Sequence, residues 1–409
     1  MKNLKKCRVC NSENFTIVLK LKDTPLEDEF LKRKIYQPTF PLELAICNEC
    51  FYAFLTYVVS PDLSYKNYMY ESSVTVGLNN HYDGYAKAIV ENNNISPKSL
   101  AIDIGSNDGS MLRSFQKQKL RILGIEPAKE ISRHANDKNL YTINDFFSLK
   151  LANKIVKEEG KASIITANYM FANIDNLDDF MQGINTLLNV DGCFCIQTGY
   201  HPLQFSKNMF DYIYHEHFSY FTLSSLTFLL NKYGLMIVDA SITEPKGGSL
   251  RVIVKHKDKK YTQSKSLIDL LSKEENNNFN SAKVFYSLEN NINEQKVRLI
   301  TELEKIKKKN FKIAAIGASH STTTLIYHFE IQRFLDFLID DNEKKHNTYS
   351  PGNHIKVFDK NHLKSQNIKY LVILAWQHQE TIINKYRQFL ESDVTVIIPL
   401  PKFKVMKFI

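Results

Sequence analysis

Short apolar runs, each ending near a glycine-bearing turn and followed by residues of helical period, recur along this chain and predict an α/β protein. In "SLAIDIGSNDGSML" the run Leu100 to Ile104 reads as a strand, the turn carries Gly105 and Gly109, and Ser110 lies at the start of a helix. A second strand, Ile122 to Ile125, ends at Glu126. The alternation continues through "ASIITANYMF" as strand, the amphipathic "LDDFMQGINTLL" as helix and "GCFCIQTGY" as strand. "TFLLNKYGLMIVDASI" and "GGSLRVIVKH" then add a helix and two strands, which predicts a largely parallel sheet with an antiparallel end. "KIAAIGASHSTTTLIYHF" begins the same logic again, and three later apolar runs complete a second, smaller α/β unit over 311–409. The polar, Asn- and Lys-rich stretch 263–310 has a helical pattern and is expected to connect the two.

The first 60 residues follow a different rule. Two CxxC knuckles, Cys7 with Cys10 and Cys47 with Cys50, are separated by 36 residues that include the Pro-containing "IYQPTFPLEL". Two thiolate pairs supply a tetrahedral S₄ set, so the stretch reads as a zinc ribbon whose structural metal staples a segment with little core of its own. A redox motif would need only one knuckle beside a βαβ pattern.

Composition narrows the remaining choices. At 409 residues the chain is long enough for two or three domains, and 43% hydrophobic with 24% charged residues fits a globular protein. The formal charge of +9 comes from scattered Lys, which favours an anionic small molecule over a dedicated nucleic-acid groove. No apolar run reaches 18 residues and "MKNLKKCRVC" lacks the apolar core of a signal peptide, so a cytoplasmic protein with no membrane and no nucleic-acid partner is expected.

Asp103 at a strand end, Gly105, Asn107 and Gly109 in the turn, and Glu126 at the next strand end form a ligand cradle in which the last carboxylate can take ribose hydroxyls. A pyrophosphate-binding turn would read GxGxxG; here Asp108 adds negative charge, which tolerates the cationic sulfonium and amino group of S-adenosylmethionine. In "NDFF", Asp145 and Phe146 either supply an acidic contact and a wall for adenine or belong to an ordinary loop.

With "YMYESS", "DIGSNDGSML", "GIEPA", "NDFF", "NYMFANIDNL", "YHEHFSYF", "GGSLRV" and "IGAS" following the paired CxxC knuckles, the chain resembles the nucleotide-sugar C-methyltransferases of deoxysugar biosynthesis over nearly its whole length. The resemblance implies an α/β protein of three parts. These are an N-terminal zinc ribbon (1–60), a central Rossmann-like class I methyltransferase domain (61–262) and a smaller C-terminal Rossmann-like domain (311–409), with 263–310 as a helical connection. It also implies a nucleotide-diphosphate sugar as substrate, and a monomer or weak dimer is expected.

Carried over by the resemblance, His217 is the general base, Glu216 its partner and Tyr214 a substrate-positioning phenol. The chemistry agrees: a sugar carbon attacks a sulfonium methyl only after losing a proton next to a carbonyl, and imidazole takes protons near neutral pH. A metal reading of "HEH" lacks further ligands, and simple hydrogen-bonded packing is the other reading. Asn173 stands where the family usually has an active-site His, which keeps O-methylation of a sugar hydroxyl open. On the substrate side the resemblance points to Tyr70 or Tyr68; the loop glycines Gly247 and Gly248 suit close backbone approach, with Lys246 for a phosphate, and the C-terminal turn with Ser319 and His320 offers N–H groups to an anion, although the family often has a Lys-Gly pair where this chain has His320 and Ser321. Trp376 and His378, after a later strand end, are placed to flank the nucleotide base, with buried packing as the other reading of Trp376. A zinc-ribbon protein that binds nucleic acid on a degenerate scaffold is the non-enzymatic alternative.

Overall fold

The computed structural model describes residues 2–60, 63, 71–74, 77–389 and 393–407. Its N-terminal sheet contains β1 (Phe15–Thr24), β2 (Phe40–Cys47) and β3 (Ala53–Leu55), all antiparallel. The fourth strand of that sheet, Ser219–Tyr220, comes from much later in the chain and pairs with β3. The ribbon is therefore hydrogen-bonded to residues that lie just beyond "YHEHF".

The central unit opens with α1 (Leu78–Asn92). Next come β4 (Leu100–Ile104), α2 (Ser110–Lys117), β5 (Arg121–Ile125), β6 (Thr142–Ile143), β7 (Ala162–Asn168), β8 (Leu188–Gly199), β9 (Leu235–Thr243) and β10 (Ser249–His256). The sheet order is β9-β10-β8-β7-β4-β5-β6, parallel from β8 to β6, with β10 antiparallel to both of its neighbours. All five residues of β4 are buried, because helices cover both faces of a parallel sheet. Chain order reverses between β4 and β7, which opens a crevice at their carboxyl ends where such sheets bind ligands.

The stretch 263–310 divides between two cores. In α3 (Lys265–Asn276) the buried Glu274 accepts from the N–H groups of Leu223 and Ser224 and from the Tyr200 hydroxyl, fixing the helix to the central unit. In α4 (Lys283–Lys308) Phe285, Leu288, Ile292, Leu299, Leu303 and Ile306 form a helical stripe packed into a core shared by β1 and the C-terminal sheet. That sheet comprises β11 (Ile313–Ile316), β12 (Phe337–Ile339), β13 (Val357–Phe358), β14 (Tyr370–Ile373), β15 (Thr395–Ile398) and β16 (Lys404–Lys407). Its order is β13-β12-β11-β14-β15-β16, with α5 (His320–Phe329) following the first strand's glycine turn.

Among the described residues no helix is long and apolar enough to cross a membrane.

Candidate active site

The four ribbon cysteines meet at one point. Their sulfur atoms lie within 4.8 Å of one another, with Cys7 to Cys50 at 3.6 Å and Cys10 to Cys47 at 3.5 Å. Zn–S bonds of about 2.3 Å arranged tetrahedrally set sulfurs about 3.8 Å apart, so this thiol set fits a closed structural zinc.

At the crevice of the central sheet lies a cavity of about 250 Å³. Asp103, Gly105, Asn107, Glu126, Asp145 and Phe146 all line it, as do Asn168, Tyr169, Asn173, Phe147 and Phe180. Asp103 accepts from Thr166 Oγ1 at 2.6 Å and Asn168 Nδ2 at 3.2 Å, while burial still pushes its carboxyl up to about 7. Glu126 accepts from the N–H groups of Asn107 (2.9 Å) and Ala128 (2.8 Å), and burial likewise raises it to about 7. Gly105 has φ +69°, and a Cβ there would come within 2.7 Å of Met170. This donor set fits S-adenosylmethionine: two buried carboxylates suit its ammonium and ribose, and Phe146 and Phe147 offer flat surfaces for adenine.

Two of the turn residues act differently from expectation. Asp108 does not line the cavity; it accepts from the N–H groups of Ser73 and Ser110 and from the Ser110 hydroxyl. Burial works against its charge, but these hydrogen bonds prevail and its pKa is lowered. Gly109 is the left-handed residue before α2, packed against Leu140.

A smaller pocket of about 60 Å³ is lined by Tyr212, Tyr214, His217, Thr198, Gln204, Ser219, Tyr220, Ser249, Ala172, Gly199 and Tyr169. His217 Nδ1 faces the carbonyl oxygen of Tyr212 at 3.1 Å, so in the neutral ring Nδ1 donates and Nε2 is the basic atom. Tyr214 Oη lies 3.0 Å from that Nε2 and donates to it. Burial, reinforced by Glu216, holds the Tyr214 phenol well above its ordinary pKa, so it remains a donor.

Glu216 is not the partner of His217. It accepts from His320 Nε2 at 3.0 Å, and the His320 ring stacks on Tyr214 with centroids 5.0 Å apart. His320 is largely buried, which lowers an imidazole pKa, but Glu216 and Asp28 outweigh this and raise it to about 9. Lys345 joins the same junction, bonded to Asp28 and to the Ala318 carbonyl. His215 points the other way: both its ring nitrogens have acceptors, Glu27 at 2.7 Å and the Pro41 carbonyl at 3.2 Å, so it serves as a buried imidazolium tying the ribbon to this loop.

Other substrate-side expectations resolve as packing or capping. A Cβ on Gly247 would meet Met209 at 2.5 Å and one on Gly248 would meet Leu203 at 2.3 Å, so the chain's own side chains pack against the Cβ side of both glycines. Ser319 caps α5 through a reciprocal bond pair with Thr322. Trp376 is buried and donates to Asp211 at 3.0 Å. Tyr68 and Tyr70 lie outside the described residues, as does the side chain of Lys246. Tyr169, Glu27, Asp28 and Lys345 went unanticipated; Tyr169 stands in the "NYMFANIDNL" motif, whereas nothing in the sequence neighbourhoods of the other three marks them.

Family models match the chain in order: a putative zinc binding domain over 7–65, a methyltransferase domain over 82–240 and a C-methyltransferase C-terminal domain over 244–401. The C-methyltransferase NovU of Streptomyces niveus is 26% identical over 408 residues, spanning 98% of this chain and 96% of that protein. Among solved structures, the magnesium protoporphyrin IX methyltransferase of Synechocystis with bound SAM aligns at 14% identity over 44% of this chain and 79% of that chain, with a TM-score of 0.32. An S-adenosylmethionine-dependent methyltransferase of Clostridium acetobutylicum aligns at 12% identity over 48% and 95% of the two chains, with a TM-score of 0.35.

Proposed function

We propose a substrate and a base for this chain, which belongs to the S-adenosylmethionine-dependent C-methyltransferases built from zinc-binding, methyltransferase and C-terminal C-methyltransferase domains. The substrate is a nucleotide-activated keto sugar, and His217 is the general base. One observation carries the reading: the His217 pocket and the cofactor cavity share a wall at Tyr169, so a proton acceptor stands beside the methyl donor's site.

S-adenosylmethionine supplies a methyl group on a positively charged sulfur, poised for attack by a carbon nucleophile. The protein's task is to make that nucleophile. His217 Nε2 takes the proton from the carbon next to the sugar's carbonyl; the electron pair left behind forms the new C–C bond as the C–S bond breaks, and S-adenosylhomocysteine leaves. In the resting site Tyr214 occupies Nε2. When the carbonyl oxygen of the acceptor takes the Tyr214 hydrogen bond instead, Nε2 is freed and the developing enolate gains a donor. The hydroxyl and amide groups of Thr198, Gln204, Ser219 and Ser249 around the pocket suit a polyhydroxylated acceptor, and the chain's net charge of +9 suits a diphosphate.

His217→Asn tests the base. Transfer to a 4-keto nucleotide sugar is expected to fall by about three orders of magnitude, with S-adenosylmethionine affinity intact. Turnover close to wild type would overturn the assignment.

A further inference from the structure

Tyr169 follows β7 directly and is the residue common to the linings of the cofactor cavity and the His217 pocket. Its φ of +58° is one that a bulky side chain rarely adopts, so the surroundings must hold it there. The backbone N–H of Tyr169 donates to the Gln197 carbonyl at 2.7 Å, and its phenol oxygen accepts from Gln197 Nε2.

The orientation of Gln197 is dictated from the far side. A guanidinium can only donate, and Arg251 Nε lies 2.8 Å from Gln197 Oε1, so the amide oxygen faces Arg251 and the amide NH₂ faces Tyr169. Arg251 Nη2 also lies 2.8 Å from His81 Nε2, which stands 3.1 Å from Gln197 Oε1, so the three side chains close a triangle, and the guanidinium lies 3.5 Å from the centroid of the Tyr85 ring. Among the described residues these partners are an amide, an imidazole and a phenol rather than a carboxylate. Gln197 is fully buried, and a half-buried cation held by neutral groups is a costly arrangement that fixes geometry.

We propose that Arg251, acting through Gln197, holds Tyr169 as the positioning wall along which the methyl group passes from cofactor to acceptor. Methyl transfer requires sulfur, methyl and attacking carbon in line, and a fixed ring at the junction restricts how the two ligands meet and keeps water out of the gap. The proposal rests on the reading of the His217 pocket as the acceptor site.

The test uses the full-length zinc-loaded protein. Tyr169→Ala is expected to lower kcat about 100-fold, and Gln197→Leu and Arg251→Met about tenfold, with KM for the acceptor changed by less than about threefold. Arg251→Lys should not restore the rate, since an ammonium lacks the fork that bonds Gln197 and His81 together. A merely structural role predicts instead that the thermal midpoint and S-adenosylmethionine affinity fall with the rate, and that outcome, or an unchanged kcat in Arg251→Met, overturns the proposal. If Arg251→Met does not fold, Tyr169→Phe removes only the anchoring oxygen; a kcat lowered about tenfold supports the link and full activity overturns it. Crystal structures of wild type and Gln197→Leu with S-adenosylmethionine bound read the positioning without an acceptor. A Tyr169 ring displaced by about 1 Å or more supports it and an unmoved ring overturns it, even if no keto sugar is methylated and the reading of the acceptor fails.

Discussion

Two strand-turn-helix units in this chain are built alike and have been put to different uses. In the central unit Glu126, past the end of β5, accepts from the N–H of Asn107 in the preceding turn at 2.9 Å; in the C-terminal unit Asp340, past the end of β12, accepts from the N–H of Ala318 at 2.8 Å. Beside the first turn is a cavity of about 250 Å³. The second turn is occupied by the protein itself. Lys345 donates to the Ala318 carbonyl, a Cβ on Gly317 would come within 3.0 Å of the Ala375 nitrogen, and His320 reaches across to Glu216. The same local construction yields a cofactor cradle in one domain and a clamp on the His217 loop in the other. What packs against the turn decides which.

Zinc withdrawal probes the clamp from the ribbon side and should have the largest effect. Ser219–Tyr220 belongs to the ribbon sheet, and Asp28 and Glu27 hold His320 and His215. Chelation at equilibrium, or Cys47→Ser, is expected to abolish methyl transfer while the central domain still binds S-adenosylmethionine in calorimetry. Retained transfer would show that the ribbon does not support the loop.

Next in size is the paired substitution of the two acids. Glu126→Ala should weaken S-adenosylmethionine binding about 100-fold, because the cavity loses a carboxylate for the ribose and the turn loses the acceptor that holds Asn107 and Ala128. Asp340→Ala should leave that affinity unchanged and lower the thermal midpoint. Equal effects on affinity would erase the distinction between the turns.

How much of this was legible in the sequence follows the same division. Strand ends carry their own signal: Asp103 stands one residue before the end of an apolar run and Glu126 directly after one, and the knuckle cysteines announce themselves by spacing. Asn173 was expected at the substrate and lines the cofactor cavity. Glu216 was assigned to its neighbour His217, yet its partner is 104 positions away, and Lys345 meets Asp28 across 317. Periodicity reports which face of an element is buried, not which distant side chain meets it. Gly247 and Gly248 mark a close approach, and the sequence could not say that Met209 and Leu203 are the side chains that make it.

The clamp also predicts a pH dependence. Folding raises the His320 pKa from 6.5 to about 9, so its stabilisation is complete below about 6.5 and disappears as pH rises through about 9. His320→Ala should therefore cost about 2 kcal/mol at pH 6, a gap in urea denaturation that closes at high pH. A gap of constant size would contradict the ion pair with Glu216.

The cofactor cradle responds in the opposite direction. Burial raises Asp103 and Glu126 to about 7, so lowering the pH through that value protonates them and removes negative charge from the cavity wall. Affinity for S-adenosylmethionine should fall by up to about tenfold between pH 8 and pH 6, and Asp103→Asn should flatten the profile. A pH-independent wild-type affinity would remove these carboxylates from the binding account.

In the proposed reaction His217 generates a carbon nucleophile on a keto sugar. Incubation with S-adenosylmethionine carrying a carbon-13 methyl group and a panel of nucleotide sugars, with and without a 4-keto group, reads it directly by NMR. Carbon methylation requires transfer only to the keto sugars, with the label resonating as a methyl on carbon. A label resonating as a methoxy carbon, or transfer to sugars without a carbonyl, would contradict it.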